Sequence, residues 1–181
     1  MPATASGSSS EGRAAARGSL ARAILTGGLI GGALDITYAI VFLELFRDRP
    51  PLWTLQSVAS GIQGMAAFEG GWPSGLLGLA AHFTVALGAA TTYCLAAQRL
   101  AVLRRHPVLC GLLFGAAVHL FMDFVVLPLS AFPFEQRRTV EGLVRGMVSI
   151  ALLVGLPIGL AARRLGPPRQ PLTAAAVAAA P

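Results

Sequence analysis

The chain has 181 residues, of which 55% are hydrophobic and only 12% charged, and its mean hydropathy is +0.68. A water-soluble domain carries about 25% charged residues, so half that fraction excludes an ordinary soluble globule and means that much of the surface faces lipid. The 14 basic residues are all arginine, against 8 acids, for a net charge of +6. They gather at the ends of apolar runs and form no basic face, which excludes nucleic acid as the partner and makes them determinants of membrane topology. Arginine without lysine, beside abundant alanine and glycine, fits a GC-rich bacterial genome.

Residues 1–19 offer almost nothing to bury and are expected to be disordered. The apolar run 23–46 is long enough to cross a hydrocarbon core of roughly 30 Å. It is too long for the core of a signal peptide and ends in Glu44 and Arg47, so it reads as an uncleaved first span. In the connection that follows, Leu52, Leu55, Ala59, Ile62 and Ala66 recur at helical spacing, with Gln56, Ser60 and Gln63 on the other side. The segment 52–66 is too polar to span and predicts an amphipathic interfacial helix. Leu55 and Ile62 are expected to face lipid or the bundle, and Gln56 and Gln63 water. Trp53 and Trp72 bracket it as aromatic-belt residues do, while Gly61 and Gly64 leave a re-entrant segment open as the alternative.

Ser74, after Pro73, is the expected N-cap of a second span over 75–97. Pro107 suits a first helical turn and opens a third span over 107–129. The fourth covers 140–162, with a kink at Pro157 that a bundle tolerates. The sequence therefore predicts an all-α, polytopic membrane protein: a four-helix transmembrane domain over 20–164, one interfacial or re-entrant helix, and a disordered tail over 165–181. Nine arginines (13, 17, 22, 99, 104, 105, 163, 164, 169) fall on one side and four (47, 49, 137, 138) on the other. Arginine excess marks the cytoplasmic side, so both termini are placed there, in a bacterial inner membrane. Cys94 and Cys110 then lie near the cytoplasmic ends of their helices, where no disulfide is expected.

Glycines repeat at four-residue spacing at 27/31, 28/32, 111/115, 142/146 and 155/159. Such faces let helices approach closely in lipid, and they serve packing within the chain or a homo-oligomer equally well. GLIGGA at 28–33 faintly echoes GLLFGA at 111–116, as a duplicated two-helix unit would.

Ionisable residues inside spans cost about 2.5–3.5 kcal/mol each on insertion scales and each needs an account. Asp35 and His119 fall near the midplane; His82, Asp123 and Arg145 fall in the half away from the termini. Asp35, His82, His119, Asp123 and Arg145 form the candidate intramembrane polar cluster. One reading is a site that binds an ion, passes a proton or holds a small ligand. The other is ordinary pairing between helices, with Arg145 bound to Asp123 or, failing that, to Glu141 four residues before it. A metal site from His82, His119, Asp123 and Asp35, or haem ligation by the histidines, is possible by residue type, but no HxxxH or HExxH spacing supports it. Nucleophile-elbow, CxxC and Walker motifs are missing, so no catalytic residue and no cofactor is assigned and the chain is not expected to be an enzyme.

LQSVASG at 55–61, AFEGG at 67–71, HF at 82–83 and VVLPLSAFP at 125–133 resemble small bacterial inner-membrane proteins of the YagU-like group. The resemblance spans roughly 24–162 and implies a membrane protein linked by family name to acid resistance, with no catalytic residues. The leading expectation is a non-enzymatic inner-membrane protein supporting membrane or proton homeostasis. A small transporter or channel subunit, with an oligomer enclosing the ionisable path, and a haem or metal redox protein are the alternatives. With Cys94 and Cys110 replaced, a single cysteine at Ser6 should resist an impermeant thiol reagent in intact cells; labelling there would reverse the orientation.

Overall fold

The computed structural model describes residues 6–134 and 139–167. It is all-helical, with no strand among the described residues, and four of its helices are long and apolar enough to cross a membrane. In chain order these elements are α1 (Ser6–Arg47), α2 (Pro51–Gln63), α3 (Gly71–Arg99), the short α4 (Ala101–Arg105), α5 (Pro107–Leu129) and α6 (Val140–Leu165). The four spans are α1, α3, α5 and α6. A 3₁₀ segment, Gly64–Phe68, forms the connection from α2 to α3.

Local chemistry sets the ends. α1 stops where Asp48 takes a left-handed conformation (φ 51°) and the Arg49 N–H reaches back to the Leu43 carbonyl at 3.1 Å, a six-residue closure that satisfies an orphan carbonyl. Pro50 then prevents continuation and Pro51 opens α2. Thr139 caps α6, its Oγ1 accepting from the Gly142 N–H at 3.1 Å.

Three expectations change. Residues 6–19, read as disordered, are helical: once a span has nucleated the helix, alanine-rich residues extend it at little further cost. α3 begins at Gly71, one turn before the expected start. Ser74 is therefore no cap; it is buried inside the helix and its Oγ donates to Gln63 Oε1 at 2.8 Å. The expectation for Gln56 is reversed as well. Thr54, Gln56 and Ser60 are buried, whereas Ile62 is 61% exposed. Leu55 and Ala59 are buried beside them, so α2 turns a mixed polar and apolar face to the protein and leaves Ile62 and Gln63 outside. The segments 1–5 and 168–181 lie outside the described residues.

α5 and α6 each contain a π turn, at Met122–Val126 and Ala151–Gly155. In both, proline is the second residue after the turn, at Pro128 and Pro157. Proline lacks an N–H and its ring crowds the carbonyl four residues back, and a widened turn relieves both. The kink expected at Pro157 takes this form, and Pro128 produces the same one.

Glycines hold the spans together. α1 uses its two staggered rows on two partners: a Cβ on Gly27 or Gly31 would meet the α6 backbone at Ile158 (3.1 Å) or Val154 (3.2 Å), and one on Gly28 or Gly32 would meet Leu87 (2.8 Å) or Phe83 (3.0 Å) of α3. α5 meets α6 still more closely. Gly111 and Gly155 face each other's carbonyls, and Gly115 lies against Ala151 and Ile150. α3 and α5 meet through side chains, with the Tyr93 and Phe114 rings 5.1 Å apart. Near the termini, Ala23, Ala90, Tyr93, Cys94, Ala97, Val154, Ile158 and Ala162 form one apolar cluster. The Tyr93 hydroxyl donates to the Leu103 carbonyl of α4, and Arg104 Nη1 to that of Pro167, which ties the loops there to the bundle.

Gly155→Ala places a methyl against the Gly111 carbonyl and should cost about 1–3 kcal/mol of detergent-phase stability. Gly88→Ala, with nothing within 4 Å, should be neutral or stabilise by up to about 1 kcal/mol through helix propensity. Equal melting shifts for the two variants would mean that the α5–α6 seam does not pack as described.

Candidate functional site: an intramembrane carboxylate–imidazole cluster

Asp35, His82 and His119 sit on three different spans. Counted from the end of the bundle that carries α2, they lie twelve, eleven and ten residues down α1, α3 and α5. At 1.5 Å per residue that is about 15–18 Å for all three, close to the middle of a 30 Å core. His82, expected nearer the surface, joins this level because α3 starts one turn earlier.

The contacts agree with the depths. The carboxylate of Asp35 is within electrostatic reach of both His82 and His119. His82 Nε2 lies 2.9 Å from the carbonyl oxygen of Gly32, one turn before Asp35. A carbonyl only accepts, so Nε2 carries the hydrogen and donates, and Nδ1 is the basic nitrogen of neutral His82. That bond depends on the missing Cβ of Gly32, which lets α3 come down onto the α1 backbone.

His119 continues the α5 row of Gly111 and Gly115, and it is 9% exposed. Its imidazole lies flat against Gly146 of α6: a Cβ there would collide with Cε1 and come within 2.6 Å of Nε2. Asp123 Oδ2 is 3.9 Å from His119 Nε2, near enough for electrostatic attraction and too far for a hydrogen bond. His119 Nε2 is therefore buried without a hydrogen-bond partner, which is costly and uncommon in native proteins.

Arg145 departs from the expected arrangement. Its Nη1 bonds to Glu141 Oε1 at 3.3 Å, and its guanidinium stacks on the Phe42 ring of α1 at 4.5 Å. The expected bridge to Asp123 is not made, because similar depth on neighbouring helices does not fix which way each side chain points. Phe42 belongs to a stacked row, Tyr38–Phe42–Phe46, with centroids 5.8 and 5.1 Å apart. The arginine thus finds a cation–π partner where its charge nears the membrane surface. Asp35, His82, His119 and Asp123 come together; Arg145 anchors α6 to α1 beside them.

Among the described residues no three of His, Cys, Asp and Glu converge in a way that could hold a metal ion. His82 Nε2 is already engaged by Gly32. Sequence reasoning missed Gly146, Gly32 and Phe42 as partners. The first two stood out only as members of glycine pairs, and nothing in sequence assigns a glycine to an imidazole. No family model matches the chain, and neither a curated protein nor a solved structure does so.

A double-mutant cycle on Arg145→Ala and Phe42→Leu should return a coupling of about 0.5–1 kcal/mol, the size of a partly exposed cation–π contact. The cycle on Arg145→Ala and Asp123→Ala should be additive; a comparable coupling there would restore the expected bridge. Gly146→Ala should move the His119 ring and shift its imidazole nitrogen resonances, which unchanged spectra would refute.

Proposed function

We propose that this chain is a non-enzymatic, multi-pass protein of a bacterial inner membrane, termini in the cytoplasm, that supports proton homeostasis by exchanging protons at Asp35, His82, His119 and Asp123. The observation that carries the reading is Asp35 held near the middle of the bundle within electrostatic reach of two histidines from two other spans. Ionisable groups at that depth are expensive, and in membrane proteins they mark ion and proton pathways. Histidine changes charge near neutral pH, and a carboxylate beside it exchanges protons with it. α6 adds no titratable group to His119: it offers the bare backbone of Gly146, and its Arg145 is held by Glu141 and Phe42.

The arginine distribution supports the orientation, and the segments resembling the YagU-like group support the link to acid resistance. The residues meet between spans of one chain, which favours an internal site over a path enclosed by several copies.

The reading is tested by infrared titration of the full chain in liposomes. Carboxyl and imidazole bands should change together as the pH is varied. Asp35→Asn should remove the carboxyl component and alter the histidine response. Spectra without a pH response, or an Asp35→Asn variant titrating like the parent, would refute proton exchange at this site.

A further inference from the structure

The positive charge of the chain is gathered at one end. The side that carries the termini has nine arginines and a single acid, Glu11. The side that carries α2 has five arginines, with Arg145 counted there, and five acids: Glu44, Asp48, Glu69, Glu135 and Glu141. The two other acids, Asp35 and Asp123, lie within the spans. Arginine excess is enough to orient a membrane protein, and acids contribute little to the rule. Topology therefore accounts for the arginines and gives no reason for the missing acids.

The fold brings these arginines to one level. The apolar cluster near the termini includes Ala23 of α1, Ala97 of α3 and Ala162 of α6, with Leu103 of α4 and Leu165 packed against it. Arg22, Arg99, Arg104, Arg163 and Arg164 each lie within two residues of one of these positions, so they surround the end of the cluster. The bond from Arg104 to the Pro167 carbonyl draws α4 against the end of α6 and brings Arg105 near Arg163 and Arg164. Arg17, Arg22, Arg99, Arg105, Arg163 and Arg164 are exposed. Among the described residues none of them pairs with an acid; the two ion pairs are His119–Asp123 and Arg145–Glu141. Leu100 and Val102, about half exposed, add an apolar fringe to the same end.

We propose that this end of the bundle binds the headgroups of anionic phospholipids, with Arg105, Arg163 and Arg164 as the contacts and Arg104 holding α4 in place. A guanidinium presents a planar fork of donors that pairs with two phosphate oxygens at once. Exposed like charges gathered without acids repel one another, and phosphates at the membrane surface neutralise them in the plane where they lie. The apolar fringe favours a lipid over a soluble anion, since Leu100 and Val102 are covered by acyl chains when a headgroup meets the arginines beside them. The inference is independent of proton exchange at Asp35, which lies thirteen residues, about 20 Å, further along α1 than Arg22.

The full chain is reconstituted in phosphatidylcholine liposomes holding spin-labelled phosphatidylglycerol or spin-labelled phosphatidylcholine. The motionally restricted fraction of each label gives the relative affinity, and both leaflets carry the label, so the orientation of the chain does not enter. The parent should prefer phosphatidylglycerol several-fold at low salt, and salt should weaken the preference. Arg105→Gln, Arg163→Gln and Arg164→Gln combined should remove most of it, and Arg47→Gln with Arg49→Gln, at the other end, should leave it unchanged. All of these spare the Arg104–Pro167 bond, and the three single variants carry the same test in smaller steps where the combined one melts early. A parent without preference, a preference kept by the combined variant, or an equal loss at Arg47 and Arg49 would overturn the proposal. If inorganic phosphate raised the melting temperature of a parent that showed no lipid preference, and not that of the combined variant, a soluble anion would be the occupant instead.

Discussion

The structure depends on how closely helix backbones approach one another in lipid. Apolar side chains gain nothing there by leaving solvent, since the solvent is as apolar as they are, and association rests on contact and on satisfied polar atoms. Glycine answers both needs. The Gly111–Gly155 crossing brings two backbones to the point where each carbonyl occupies the space of the other residue's missing Cβ. Cα–H groups and carbonyls at that separation attract weakly, and dispersion adds over every atom in contact. α1 is the organising helix because it carries two glycine rows about 100° apart, one for α3 and one for α6.

The same approach builds the polar cluster. Gly32 exposes a carbonyl that a residue with a side chain would shield, and His82 reaches it. Gly146 leaves a flat patch of backbone on which the His119 ring rests. Removing either Cβ-free position would loosen the packing and displace an imidazole together, so tightness in this bundle and the placing of its ionisable groups cannot be varied independently.

The spans were legible because length and hydropathy alone decide them: the 107–129 expectation matches α5 at both ends. What sequence leaves open is azimuth. Depth along a helix follows from counting residues, and it put Asp35 and His119 at one level, where the carboxylate is within electrostatic reach of the imidazole. Direction around the axis depends on neighbours, and there the Asp123–Arg145 pairing failed while Phe42 went unnoticed. Gln56 was misjudged for a different reason. Amphipathicity divides a helix into two faces by residue type, but the face that α2 buries crosses that division and takes Leu55 and Ala59 together with Thr54, Gln56 and Ser60. Ser74 looked like a cap because it follows a proline; the left-handed turn at Gly71 (φ 55°) starts the helix a turn sooner and makes Ser74 an interior residue.

The π turn at Met122–Val126 bears most directly on the cluster, since Asp123 lies within it. On a regular helix, residues four apart share a face and a histidine–aspartate pair at that spacing can close into a hydrogen-bonded ion pair. Pro128 imposes the wider turn, and Asp123 stands 3.9 Å from His119 Nε2. A closed pair would hold its proton in one place, whereas a carboxylate at this distance biases the imidazole electrostatically and leaves its Nε2 available to exchange partners. π turns are costly in isolation and recur at functional sites for this reason. The second one, at Ala151–Gly155, has no ionisable residue in it and lies against Gly111 and Gly115. Its place is in the packing seam. The two proline-induced turns thus divide the work between them, one shaping the contact between α5 and α6 and the other spacing the charges that this contact encloses.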